Sequence, residues 1–455
     1  MAALNRLVIL GAAGDLATRF LLPALADAMQ AGKLENPLDI VGAAREDWDT
    51  EEYRRQSDQA IAENAPGVDQ AVRKQLLDHL TYVQADATDP DDLRQALTDE
   101  PALIYLALPP GIYRDCIQAL EQAGLPDGSS IIIEKPFGED LESARELNQF
   151  LQQRFPEEAI YRIDHFTAMQ SVEAIPALRF ANRILQPIWN REHIHQVEII
   201  FEDVGTLSGR AGYYDTAGAL KDMIQNHLLQ VLCMLAMEPP GDLQGESLRD
   251  VKVGLLKDIR SWSTDEAAEM SYRARYSAGT VNGESVPAYV DEEAVDPDNQ
   301  TETFAKVQLE IDNDRWTGVP FLIRTGKGQE YRRRIANIVF KPQEDGPYHT
   351  HMIETPNALQ LYMLPDSLQV RLLLNRPDDP LQLRTVNLGI DLPEEPIPAH
   401  GQLVLDALQG DQSRFIRDDE AEESWRVVQP FLDAWNQNRT PLHEYPAGTQ
   451  VEVEP

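Results

Sequence analysis

Asp164 and His165 stand side by side in YRIDHFTAMQ (Tyr161–Gln170), behind a short apolar stretch, and none of the five residues after His165 is a lysine or arginine. A carboxylate beside an imidazole suits proton transfer. A second histidine, His227, lies in GYYDTAGALKDMIQNHLLQVLCMLAMEPP with Asp222 shortly before it. Met223, Ile224, Leu228, Leu232 and Leu235 recur near helical spacing, which predicts one long helix ending before Pro239. On a regular helix Asp222 and His227 lie about 140° apart, so they flank a cleft rather than stack. A histidine simply buried and satisfied in the core is the structural alternative. Oxidation of an alcohol by hydride transfer requires a base for the hydroxyl proton, and His227 oriented by Asp164 meets that need if the strand end faces this helix.

Positioning these groups takes a scaffold, and the first third supplies a recognisable one. RLVILGAAGDLATRFLLPALADAMQAGKL reads as a buried strand, a glycine turn and an amphipathic helix. Gly11 and Gly14 let the backbone approach a pyrophosphate, whose charge the free N–H groups of a helix start stabilise. LDIVGAARED is a second strand ending in Arg45, and PALIYLALPPGIY and SSIIIEKPFG are two more near-continuous apolar strands. Such strands separated by helices predict a parallel sheet covered on both faces, with ligands at the strand carboxyl ends. Arg45 suits the 2′-phosphate of NADP, whereas Glu46 beside it suits the 2′-hydroxyl of NAD, so the cofactor is expected to be NADP or NAD. Further on, FAKVQLEI, RIANIVFK, ALQLYML and LQVRLLL alternate as strands of an antiparallel sheet with one covered face.

With 76 acidic against 40 basic residues, the formal net charge is −36, and only nine residues are lysine. This acidity excludes nucleic acid and anionic membrane as partners and fits a protein working in high salt. The longest apolar runs are too short to span a bilayer, and MAALNRLVIL lacks the features of a signal peptide. Cys116 and Cys233, far apart in helix-like contexts, suggest neither a disulfide framework nor a metal site. A cytoplasmic protein is expected.

The blocks GAAGDL, EKPFG, RIDHF, LRFANRILQPIWNREHI, GRAGYYDTAGALKDMIQNHLLQ and RWTGVPFLIRTGKG occur in an order and at spacings that resemble the glucose-6-phosphate dehydrogenase family from Leu7 to about Gly448. The resemblance implies an α/β Rossmann N-terminal domain (1–160) plus a larger α+β domain with a mainly antiparallel sheet (161–455), assembled as a homodimer or homotetramer. It implies oxidation of a sugar C1 hydroxyl to a lactone, with hydride passing to NADP or NAD. Carried over by motif, His227 is the base and Asp164 holds its imidazole. Glu202 and Asp222 accept from sugar hydroxyls, Lys135 and Lys327 donate to the substrate, Arg332 lies near it, and His165 contacts the sugar phosphate. The cofactor falls to Gly11, Gly14, Asp15, Leu16, Arg45, Pro109, Lys135 and Pro136, the last following a cis bond.

The chain departs from this family where the phosphate is held. The family continues the RIDH motif with a tyrosine and, three residues later, a lysine; here those positions are Phe166 and Met169, and Phe20 stands where a further lysine is usual. Each charge-assisted hydrogen bond to phosphate contributes about 1.5–3 kcal/mol, so the loss is large unless other cations substitute. Arg162, Arg179, Arg183 and Arg332 are the candidates. Three readings follow: glucose 6-phosphate oxidation with a modified phosphate grip, the same chemistry on an unphosphorylated or differently substituted aldohexose, or a non-catalytic regulatory relative. The pairs His193/His195 and His349/His351 lack further ligands and are expected on the surface. AYVDEEAVDPDNQTET (Ala288–Thr303) is expected to be a solvated loop, and RFIRDDEAEESWRVVQPFLDAWN one long helix or a helix pair.

Overall fold

The computed structural model describes residues 4–34, 38–207, 209–343, 345, 347, 348, 355–393 and 396–453; His349 to His351 lie outside the described residues. Strands β1 (Arg6–Leu10), β2 (Asp39–Ala44), β3 (Leu80–Gln84), β4 (Leu103–Leu106), β5 (Ser130–Glu134) and β6 (Ile160–Ile163) form a parallel sheet in the order β3-β2-β1-β4-β5-β6. Their unbroken apolar character follows from burial on both faces, where two separate hydrophobic clusters pack. The order reverses between β1 and β4, which is where a crevice for a dinucleotide opens. Strand β6 straddles the expected boundary at 160/161 and ends at Asp164.

The larger sheet contains β7 (Ile194–Glu202), β8 (Ser271–Ser277), β11 (Phe304–Leu309), β12 (Phe321–Gly326), β13 (Arg333–Phe340), β14 (Ala358–Tyr362), β15 (Ser367–Asn375), β16 (Leu383–Asp391) and β17 (Leu442–Pro446); β9 (Gly279–Val281) and β10 (Glu284–Val286) make a separate hairpin. Its order is β16-β15-β14-β13-β7-β12-β11-β8-β17, antiparallel except for the β7/β12 and β8/β17 pairs. One hydrophobic cluster joins this sheet to the His227 segment and to the helix Asp418–Asn436, a single helix with Pro430 inside it. The helix Ala399–Gln409 returns to the first domain. It packs so closely on the helix Leu22–Gln30 that a Cβ at Gly401 would lie 2.9 Å from the Ala24 carbonyl oxygen.

Two expectations are corrected here. The helix around His227 is not continuous: Gly218, at φ 68°, breaks it between Ala211–Ala219 and a π-helical turn Leu220–Leu228, which runs on as the α-helix Leu229–Ala236. A side chain at Gly218 would meet Glu302 Oε1 at 2.5 Å, and the same oxygen accepts from the Leu220 N–H at 2.9 Å, so a buried carboxylate caps the new segment. The acidic stretch 288–303 is likewise not merely a solvated loop. Its Tyr289 hydroxyl donates to Asp215 Oδ1 at 3.0 Å, while the Asp296 N–H and Asn299 Nδ2 donate to Asp215 Oδ2 at 3.0 and 2.6 Å. One buried aspartate thus pins the segment against the broken helix, a pairing that composition cannot display.

Candidate active site

Asp164 closes β6 and caps the turn His165–Ala168, accepting from the Phe166 N–H at 3.0 Å. The same Oδ1 lies 2.5 Å from His227 Nδ1, so the imidazole carries its proton on Nδ1 and presents the Nε2 lone pair. Both side chains are nearly inaccessible, at 1% and 3% exposure. Burial alone would raise the Asp164 carboxyl, but the adjacent His227 outweighs it and holds it at about 2. Burial lowers the His227 pKa, and the Asp164 charge only partly restores it, leaving a neutral imidazole beside a fixed carboxylate. Phe166 stacks on the His227 ring at 4.2 Å with 10° between planes, which supplies part of that desolvation.

The π-helical turn has a geometric effect. Bonds from residue i to i+5 bring residues five apart over one another, so Asp222 and His227 share a side instead of diverging. Asp222 is fixed from the first domain: Lys135 Nζ donates to its carbonyl at 2.8 Å and to its Oδ1 at 3.0 Å. Burial would raise the Asp222 carboxyl, but Lys135 turns the shift downward, so it is an anion. Lys135 precedes Pro136 through a cis peptide bond.

Asp222 borders two cavities. One, of about 260 Å³, is lined by Pro109, Lys135, Pro136, Lys221 and Asn226 among others and lies at the ends of the parallel strands. The other, of about 250 Å³, is lined by Asp203, Arg210, Tyr214, Lys327, Arg332 and Arg334 as well as Asp222. Asp203 is its anchor: Arg334 reaches Oδ1 at 2.6 and 3.1 Å, Lys327 reaches Oδ2 at 3.3 Å, and Arg332 lies 3.4 Å from Oδ1.

Glu202 is placed differently from the expectation. It is fully buried, with Oε1 taken by Arg324 Nε at 2.6 Å and Oε2 by Arg333 at 2.9 Å and Gln450 at 2.6 Å. Its neighbour Asp203, just past the strand end, is the carboxylate on the cavity. Strand alternation gives no warning, because β7 alternates only in its first half and its last four residues, Ile199–Glu202, are all buried. Arg334 was also missed: of three consecutive arginines, Arg332 and Arg334, two apart, both pair with Asp203 while Arg333 pairs with Glu202, and Arg334 is the less exposed of the first two, at 16% against 59%. Of the other arginines considered, Arg162 is buried on Glu157 and Arg179 donates to the Met234 and Met237 carbonyls. Arg183 lines a separate cavity with Arg179. Phe166 and Met169 belong to the core, and His193 and His195 are exposed on either side of buried Ile194.

The nucleotide turn fits a dinucleotide. Gly11 has φ 89°, and a Cβ there would stand 2.3 Å from the Ala107 carbonyl oxygen, so only glycine allows β1 to turn this close to the end of β4. Gly14 follows, Asp15 and Leu16 open the helix, and Arg45, directly after β2, is in an exposed pair with Asp86 at 3.0 Å.

A Rossmann sheet whose strand ends meet an aspartate-oriented imidazole and a polar cavity defines an NAD(P)-dependent oxidoreductase acting on a CH–OH group. Residues 8–174 match the family model described as glucose-6-phosphate dehydrogenase, NAD binding domain, and residues 176–454 that described as the C-terminal domain. The chain belongs to the glucose-6-phosphate dehydrogenase family. It is 37% identical over 461 residues to a glucose-6-phosphate 1-dehydrogenase of Gluconobacter oxydans (strain 621H), covering 97% of this chain and 93% of the relative. It is 36% identical over 459 residues to one of Rhizobium meliloti (strain 1021), with the same coverage. It also superposes with a TM-score of 0.89, at 31% identity and over 99% of this chain and 96% of the other, on a solved glucose-6-phosphate dehydrogenase in complex with its substrate glucose-6-phosphate.

Proposed function

We infer that the chain oxidises the C1 hydroxyl of glucose 6-phosphate to 6-phosphogluconolactone. The observation that carries this is the 2.5 Å Asp164–His227 pair, packed against a Lys135-anchored Asp222 between two cavities. NADP or NAD, when bound, supplies the hydride acceptor, and Gly11, Gly14, Arg45, Pro109 and Pro136 are the residues that would hold it. His227 Nε2 takes the hydroxyl proton, and Asp164 offsets the imidazolium charge that forms. Asp222 and, in place of Glu202, Asp203 accept from sugar hydroxyls. Lys135, Lys327, Arg332 and Arg334 donate to the sugar, and His165 contacts its phosphate. We place the division between the domains after β6, and the buried free thiols of Cys116 and Cys233 suit a cytoplasmic compartment.

A direct assay compares glucose 6-phosphate with glucose under identical conditions. The expected result is a kcat/KM for the phosphorylated sugar at least tenfold higher. A ratio near unity, or one favouring glucose, overturns it. The Phe166→Tyr/Met169→Lys double variant should lower the KM for glucose 6-phosphate without lowering that for glucose, because each polar contact to phosphate is worth about 1.5–3 kcal/mol.

The outer strands of the large sheet support a homo-oligomer. Leu372, Leu374, Leu388 and Ile390 on β15 and β16 are 38%, 48%, 58% and 67% exposed, an apolar surface that a second copy would cover. Sedimentation should show a dimer or tetramer, and Leu388→Asp/Ile390→Asp should shift it toward the monomer. A monomeric wild type would refute this assembly.

A further inference from the structure

The imidazoles of His165 and His400 are both part-exposed and stack at 5.2 Å with 18° between their planes; neither has a hydrogen-bond partner among the described residues. His165 is also 4.7 Å from the His227 ring, and His400 is 5.4 Å from Phe20. A row of rings therefore runs outward from the base to Phe20, which is 47% exposed. His400 comes from the helix Ala399–Gln409, over two hundred residues beyond His165, and reaches the site because Gly401 lets that helix press against the first domain.

We propose that His400 pairs with His165 to hold the substrate's phosphate, and that the pair takes up a proton as the dianion docks. This rests on the reading of glucose 6-phosphate as substrate. Lys327, Arg332 and Arg334 are already engaged by Asp203, whereas neither of these two rings has a hydrogen-bond partner among the described residues. Phe166, Met169 and Phe20 offer no polar group to replace them. The groups facing His165 are Asp164, His227, Lys135 and His400. His400 faces His165 and His227, with Phe20 of the first helix against it and Arg19 beside that ring, itself near Asp15. Burial and then the His227 charge push His400 down to about 4. For His165, burial leads and His227, His400 and Lys135 add to the lowering, against Asp164. Both rings are thus neutral near pH 7 without ligand. Docking a dianion raises both, so one proton enters from solvent onto the pair, and no bond is made or broken beyond it.

Two measurements test this on the full chain. In calorimetric titrations with glucose 6-phosphate in buffers of different ionisation enthalpy, the wild type should take up close to one proton, and its KM should rise up to tenfold per pH unit on the alkaline side. His400→Phe should lower the kcat/KM ratio of glucose 6-phosphate over glucose at least tenfold and reduce the proton uptake. His400→Lys, which supplies a standing cation, should keep the ratio within about threefold of wild type while flattening the pH dependence of KM. A ratio and proton uptake unchanged in His400→Phe would overturn the proposal, as would a wild type that oxidises glucose 6-phosphate without proton uptake. A wild type that oxidises glucose but not glucose 6-phosphate would instead overturn the substrate reading on which it rests.

Discussion

His227→Asn should lower kcat by about 10²–10⁴-fold while leaving the binding of sugar and cofactor nearly unchanged, because a positioned general base contributes on that scale. The side chain is buried and, among the described residues, its hydrogen bond is the one to Asp164, so the amide can keep a hydrogen bond to that carboxylate while losing the basic nitrogen. The pH profile provides a second readout. Only the neutral imidazole accepts a proton, and the His227 pKa is lowered by burial, with Asp164 opposing. In the wild type kcat, which does not contain the proton taken up on phosphate binding, should therefore stay level through neutrality and fall tenfold per pH unit only below the ordinary histidine range of about 6.5. That acid limb should vanish in the variant. Steady-state kinetics at several pH values, with circular dichroism as a check on folding, would decide it. Turnover comparable to wild type would mean that the base lies elsewhere.

Asp164→Asn should cost on the order of 10³–10⁴ in kcat, as replacing the carboxylate behind a catalytic histidine by its amide does elsewhere. Two effects combine. The carboxylate accepts from the Phe166 N–H and from His227 Nδ1 through the same oxygen; an amide nitrogen turned toward Nδ1 would instead donate, pushing the imidazole proton onto Nε2, where the base must be free. The variant also lacks the negative charge that offsets the imidazolium as the substrate loses its proton, in a site where burial already opposes that charge. Substrate KM should change far less than kcat, since neither effect concerns the bound ground state. A loss below tenfold would show that the pair is structural.

RIDHF places two titratable residues next to each other; Asp164 bonds to His227, while His165 lies between His227 and His400. The turn after β6 keeps both beside His227, Asp164 through a hydrogen bond and His165 through a ring contact at 4.7 Å, and only His165 extends the row to His400.

What the sequence determined by itself is whatever repeats locally. Unbroken apolar strands between helices require a sheet covered on both faces. The glycine at position 11 is legible as a turn because it follows a buried strand and, with Gly14, precedes an amphipathic helix. The motif blocks mark His227, Asp164, Lys135 and Asp222, because each lies in a segment whose neighbours are themselves constrained. Tertiary structure decided the rest. Gly218 looks like a tolerated helix residue until Glu302, far along the chain, is seen to occupy the space of its side chain. The resulting π-helical turn, not the regular helix that periodicity suggests, sets Asp222 above His227. Whether Glu202 or Asp203 faces the cavity depends on Arg324, Arg333 and Gln450 claiming the former, and His400 enters only through a helix packed back onto the first domain. Spacing along a chain encodes periodicity and turn geometry; which of two adjacent carboxylates is buried by distant arginines is fixed by contacts between segments that spacing does not record.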